Sequence, residues 1–174
     1  MRRNSLLVLL LLMCISIPTT LSKNNALTIE SYGVAQGSLS GEYERKLTNN
    51  VSLAIQGLAK SGNKGGLEYK GLGGGLGIKY YLGNQALRGA YIGVLGTTAN
   101  LSIMGSTEGT VTSFGVAGSL GFKWFFTTGF AIDVGFSLAM PISTQITIPE
   151  SELQKTIKSG SIGKGINLGL GIAW

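Results

Sequence analysis

The chain has no histidine, and its single cysteine, Cys14, lies in an N-terminal apolar segment. Without histidine, acyl transfer with a histidine base and the usual zinc sites are excluded. Charge is scarce too: only 13% of residues are Asp, Glu, Lys or Arg, well below the share on an ordinary soluble surface. The basic residues are scattered, with no stripe and no interleaved aromatics, so no nucleic-acid surface is indicated. No stretch beyond the N-terminal segment reaches the roughly 18 uninterrupted apolar residues of a membrane-spanning helix. The glycine runs contain no G-x-G-x-x-G, and Gly163-Lys164-Gly165 is no phosphate loop, since neither Ser nor Thr follows the lysine. The residue types point to no catalytic residues, no metal, no cofactor and no enzyme.

What is present begins with a leader. Arg2-Arg3 precede an apolar core from Leu6 to Ile17, and Thr20-Leu21-Ser22 has the small-x-small spacing of a cleavage site. Residues 1–22 read as a secretory signal peptide and 23–174 as one domain. Cleavage would remove the cysteine and leave 12 basic against 8 acidic residues, a net charge of +4. A lipid anchor on Cys14 would need a small residue where Met13 stands.

The rest of the chain alternates. In the last stretch, Ile166, Leu168, Leu170, Ile172 and Trp174 share one face, and Asn167, Gly169, Gly171 and Ala173 share the other. Side chains along a strand alternate with period two, so this is strand patterning. The same pattern recurs over 130–140, 112–124, 71–81, 51–56 and 38–44. The segment 90–104 is strand-like with less distinct faces, and 26–32 is a weaker first strand. Turn-like joints at 48–50, 83–89 and 127–129 alternate with 61–68, 105–109 and a long piece from Pro141 to Ile162. Eight strands result, and all three prolines are expected outside strand interiors. Within the long connection, Pro149 to Gly160 reads as a short helix, opened by proline and acids and closed by lysine and glycine.

Eight antiparallel strands can close with the apolar face inward or outward. The non-apolar face here is Gly, Ala and Ser with few charges, which covers a wet surface badly but fits a crowded lumen. The aromatics agree. Tyr43, Tyr80, Tyr91, Trp124, Phe126, Phe130 and Trp174 all lie near three joints and the C-terminus, which share one rim if the strands run up and down. An aromatic girdle at one interface belongs to a membrane barrel. The fold expected is all-β: an eight-stranded antiparallel up-and-down transmembrane β-barrel in contact with outer-membrane lipid.

By the same alternation Glu42, Glu44, Lys79, Lys123 and Asp133 project into the lumen, close to the girdle-side joints. With a three-residue turn at 127–129, Lys123 and Asp133 are directly opposed. A charge in so narrow an interior needs a partner. One reading is a structural ion-pair network; the other is a gate in a narrow pore for water, ions or very small solutes. Eight strands leave room for side chains rather than a channel, which favours the first.

SLSGEYERKLTNNVSLAI (38–55) and GGGLGIKYYLGNQALRGAYIG (73–93) resemble the hairpins of small eight-stranded outer-membrane barrels of the outer-membrane protein A type. The resemblance covers most of residues 26–174. It implies a bacterial outer-membrane location, with Ile166, Leu168, Leu170, Ile172 and Trp174 serving as a signal to the outer-membrane assembly machinery. It is weak for function, since barrels of one shape serve many ends. A structural or surface-interaction role, a porin-like narrow pore, and an adhesin using loops around Asn63-Lys64 and 142–162 to bind an unknown surface ligand stay open.

Overall fold

The computed structural model describes residues 23–30, 37–64, 67–104, 109–126, 128–148, 153–157 and 162–174. The expected signal peptide lies outside them. Among the described residues nine strands form one antiparallel sheet: β1 (Asn25–Glu30), β2 (Ser38–Lys46), β3 (Val51–Lys64), β4 (Leu67–Tyr81), β5 (Gly89–Met104), β6 (Gly109–Phe125), β7 (Phe130–Ile148), β8 (Leu153–Ile157) and β9 (Gly163–Ala173). Each of β1 to β7 pairs with the next, and β9 pairs with both β7 and β1. The wall is therefore a closed, eight-stranded, up-and-down barrel.

β8 stands outside this wall. It pairs with the outer part of β7, Thr144 opposite Ile157 and Ile148 opposite Leu153. The expected helix is overturned for residues 153–157; the rest of that segment lies outside the described residues. A five-residue piece gains too little from helix formation to repay nucleation, whereas the edge of β7 beyond β9 offers unpaired backbone.

Pro141 also departs from expectation, since it lies inside β7 rather than in a connection. The register slips there: Gly115 opposes Pro141 and Phe114 opposes Ser143, leaving Ile142 as the extra residue of a bulge. A bulge tolerates the missing proline N–H. Asn63 and Lys64 are likewise strand, opposite Glu68 and Leu67, not loop.

The apolar faces point outward. Leu72 is 72% exposed, and Leu76, Ile78, Leu120 and Ile166 are also exposed. Inside, small residues line the wall: Ala26, Ala54, Ala131 and Ala173 are fully buried. β5, whose phase the sequence left open, turns Tyr91, Leu95 and Thr97 inward and Ile92 and Val94 outward.

Candidate functional site

The most heavily built part of the lumen is a layer of ions near the short-turn end. Register sets it up. Glu44 stands between Ala26 on β1 and Ala54 on β3, whose small side chains leave it room. Lys79 stands between Ser52 on β3 and Gly93 on β5. Lys123 stands directly opposite Asp133 across β6 and β7.

The long lysine side chains then cross the lumen. Lys79 Nζ lies 2.5 Å from Glu42 Oε1 and 3.2 Å from Glu44 Oε1. Lys123 Nζ pairs with Glu44, lies 3.0 Å from Asp133 Oδ2 and reaches Glu42 at 3.7 Å. All five side chains are buried. β2, β4, β6 and β7 are thus joined through their side chains across the interior, as well as through their edges.

Two tyrosines and a serine complete the acceptors. Tyr81 Oη donates to Glu44 Oε2 at 2.7 Å, and Ser52 Oγ donates to the same atom at 2.8 Å. Tyr91 Oη donates to Asp133 Oδ1 at 2.9 Å, and its ring lies 4.3 Å from Lys79 Nζ. Charges removed from water are tolerated only when partnered and hydrogen-bonded in this way. Carboxylate oxygens of Glu42, Glu44 and Asp133 lie within 4.8 Å of one another, an arrangement that could suit a hard cation. Here two lysine ammonium groups already lie among those oxygens.

Of the girdle residues inferred from sequence, Tyr80, Trp124, Phe126, Phe130 and Trp174 are exposed on the outside at the short-turn end. Tyr43 is half-buried, with its ring 6.4 Å from that of Trp174 and its hydroxyl donating to Asn25. Tyr91 is the exception and corrects the expectation: it is buried in the lumen, 3% exposed. The reason is the phase of β5, in which Tyr91 falls on the face of Gly93 and Leu95 rather than that of Ile92. Tyr81 shares the inward face of Lys79 in the alternation of β4, so its place in the cluster had a signal. Tyr91 had none.

Leu87 was not anticipated either. It lies in the 82–88 turn with a positive φ of 73° and is fully buried against Ala26 and Ala173, with Phe125 packed beside them. A left-handed backbone is unfavourable for a leucine, so the contacts around it must outweigh the strain. Asn50 Nδ2 donates to the Gly83 carbonyl at 2.6 Å, and the Ala86 N–H donates to the Asn49 carbonyl at 2.5 Å, tying this turn to its neighbour. Ala26 is also the cross-strand neighbour of Glu44, so Leu87 packs beside the ion layer at the short-turn end.

No family model matches the chain, and no curated protein matches it as a relative. Among solved structures, the N-terminal β-barrel domain of Pseudomonas aeruginosa OprF is similar, with a TM-score of 0.56 and 15% identity over 88% of this chain and 98% of that one. At that identity the likeness is one of fold: this chain, like that domain, forms a closed, eight-stranded, antiparallel barrel.

Proposed function

We propose that the protein is an integral outer-membrane barrel with a structural or surface-exposed role and no catalytic activity. The observation that carries this reading is the inside-out distribution of polarity: leucines and isoleucines exposed on the wall, ions buried within it. An apolar belt of that extent is a liability in water and an asset in lipid. The exposed aromatics at the short-turn end suit a membrane interface, and the alternating last strand suits delivery to the outer-membrane assembly machinery. The paired lumen charges and the Leu87 contact favour a closed interior over a conducting one. The test is planar-bilayer recording of the purified protein, alongside heat-modifiable migration on a gel. Heat-modifiable migration without current steps is expected. Reproducible steps that change in Lys79→Gln would instead support the narrow pore, and absence of a heat-modifiable form would remove the membrane reading.

A second reading, a surface interaction module, rests on the length of β6 and β7, at 17 and 19 residues. A tilted strand needs only about 9–11 residues to cross a bilayer, so a β6–β7–β8 ribbon would stand beyond the lipid. Removing β8 with the outer end of β7 should then abolish cell-surface binding of a partner while leaving the barrel folded.

A further inference from the structure

Next to the ion layer the lumen widens into a cavity of about 380 Å³, within the size range of small-ligand pockets. Its charged lining is one-sided. Among the described residues Glu30, Glu42 and Asp133 face it, against Lys79 alone; Glu44 and Lys123 do not line it. Taking the lining and the ion layer together, four carboxylates (Glu30, Glu42, Glu44, Asp133) meet two ammonium groups (Lys79, Lys123), a net charge of −2 when all are ionised. Glu30 accepts a hydrogen bond from Ser40 and has no basic partner among the described residues.

The register brings Thr28 into this negative wall. Gly169 stands opposite Glu30 on β1 and opposite Asp133 on β7, and the methyl of Thr28 fills the space that a side chain at Gly169 would take. A Cβ at Gly169 would collide with Cγ2 of Thr28 and come within 3.5 Å of Asp133 Cβ.

Thr28, 2% exposed, lines the cavity, and its buried Oγ1 has no hydrogen-bond partner among the described residues; Ser119 Oγ, also on the lining, has none among them either. Buried polar groups are almost always satisfied, so two such atoms on one cavity leave hydrogen-bonding capacity for what occupies the lumen, water or a guest. Much of the remaining wall, including Leu58, Leu95, Ala99 and Ala117, is apolar.

We propose that this cavity binds a small organic cation: a primary ammonium on a compact apolar body. The ammonium sits beside Thr28, between Glu30 and Asp133, where its three donors find carboxylate and hydroxyl acceptors. The body lies against Leu58, Leu95, Ala99 and Ala117. A bare metal ion would leave those walls uncovered, and an anion would face three carboxylates. The inference concerns the lumen alone and goes beyond the structural role proposed above.

The probe is 4-phenylbutylammonium, with 4-phenylbutanol and 4-phenylbutyrate as neutral and anionic matches, titrated by calorimetry into the purified protein in detergent. Saturable one-to-one binding of the ammonium alone is expected. Glu30→Gln should weaken it about tenfold, in line with loss of a charge-assisted contact. Ala117→Phe, which fills the cavity and leaves every charge in place, should abolish it. Heat-modifiable migration of both variants certifies that they fold. Equal binding of the alcohol, binding that survives Ala117→Phe, displacement of the probe by millimolar Mg²⁺, or no binding at all would each overturn the proposal.

Discussion

Tyr91 and Asp133, 42 residues apart, meet inside the barrel through a 2.9 Å hydrogen bond from phenol to carboxylate. The bond ties β5 to β7 past β6, which lies between them in the wall. Asp133 also pairs with Lys123, so Tyr91 is one of the two partners that hold this carboxylate in place. Tyr91→Phe keeps the ring and removes the donor. A hydrogen bond to a charged group is worth about 1.5–3 kcal/mol, and unfolding in urea should show a loss of that order. Tyr80→Phe, one position outside the lumen, should stay within about 0.5 kcal/mol, as exposed substitutions do.

Lys123 contacts three carboxylates, so its removal strands more charge than any other single change in the layer. Lys123→Met should destabilise the barrel by about 3–5 kcal/mol, the usual result of leaving a buried ion unpaired. Adding Glu44→Gln to that variant removes the carboxylate closest to the lost ammonium and should restore part of the loss. The double variant melting below Lys123→Met would contradict the network as drawn.

Leu87 couples a strained backbone to a buried contact. Leu87→Ala loses the packing and keeps the left-handed backbone, for about 2–5 kcal/mol. Leu87→Gly loses slightly more packing yet relieves strain of about 1–2 kcal/mol. The glycine variant should therefore melt no lower than the alanine variant, the reverse of their order where φ is negative.

Glycines of the wall divide by what stands beside them. A Cβ at Gly77 would run into the Val94 carbonyl and approach Leu95 Cα at 2.6 Å; at Gly57 it would meet nothing within 4 Å. Gly77→Ala should sharply reduce the heat-modifiable fraction on refolding. Gly57→Ala should leave that fraction unchanged or raise it, since alanine restricts the unfolded chain more than glycine.

The period-two pattern by itself determined where most strands lie, which faces are apolar, and that Glu42, Glu44, Lys79, Lys123 and Asp133 share the interior. These follow from the chain's local geometry: a strand alternates whatever it pairs with, and a charge on its small-residue face goes inward with that face. Even the opposition of Lys123 and Asp133 was legible, because the turn between their strands is short enough to set the register.

Tertiary structure decided what local pattern leaves degenerate. Both faces of β5 carry apolar and small residues, so only pairing with β4 and β6 turned Tyr91 inward to Asp133. Leu87 became a buried contact because the barrel's short-turn end offers it Ala26 and Ala173, which lie far from it in sequence. Residues 153–157 became a strand because β7 runs past β9 and leaves an edge to pair with. In each case the deciding partner is remote along the chain, and register between remote segments is set by closing the barrel, not by any window of residues.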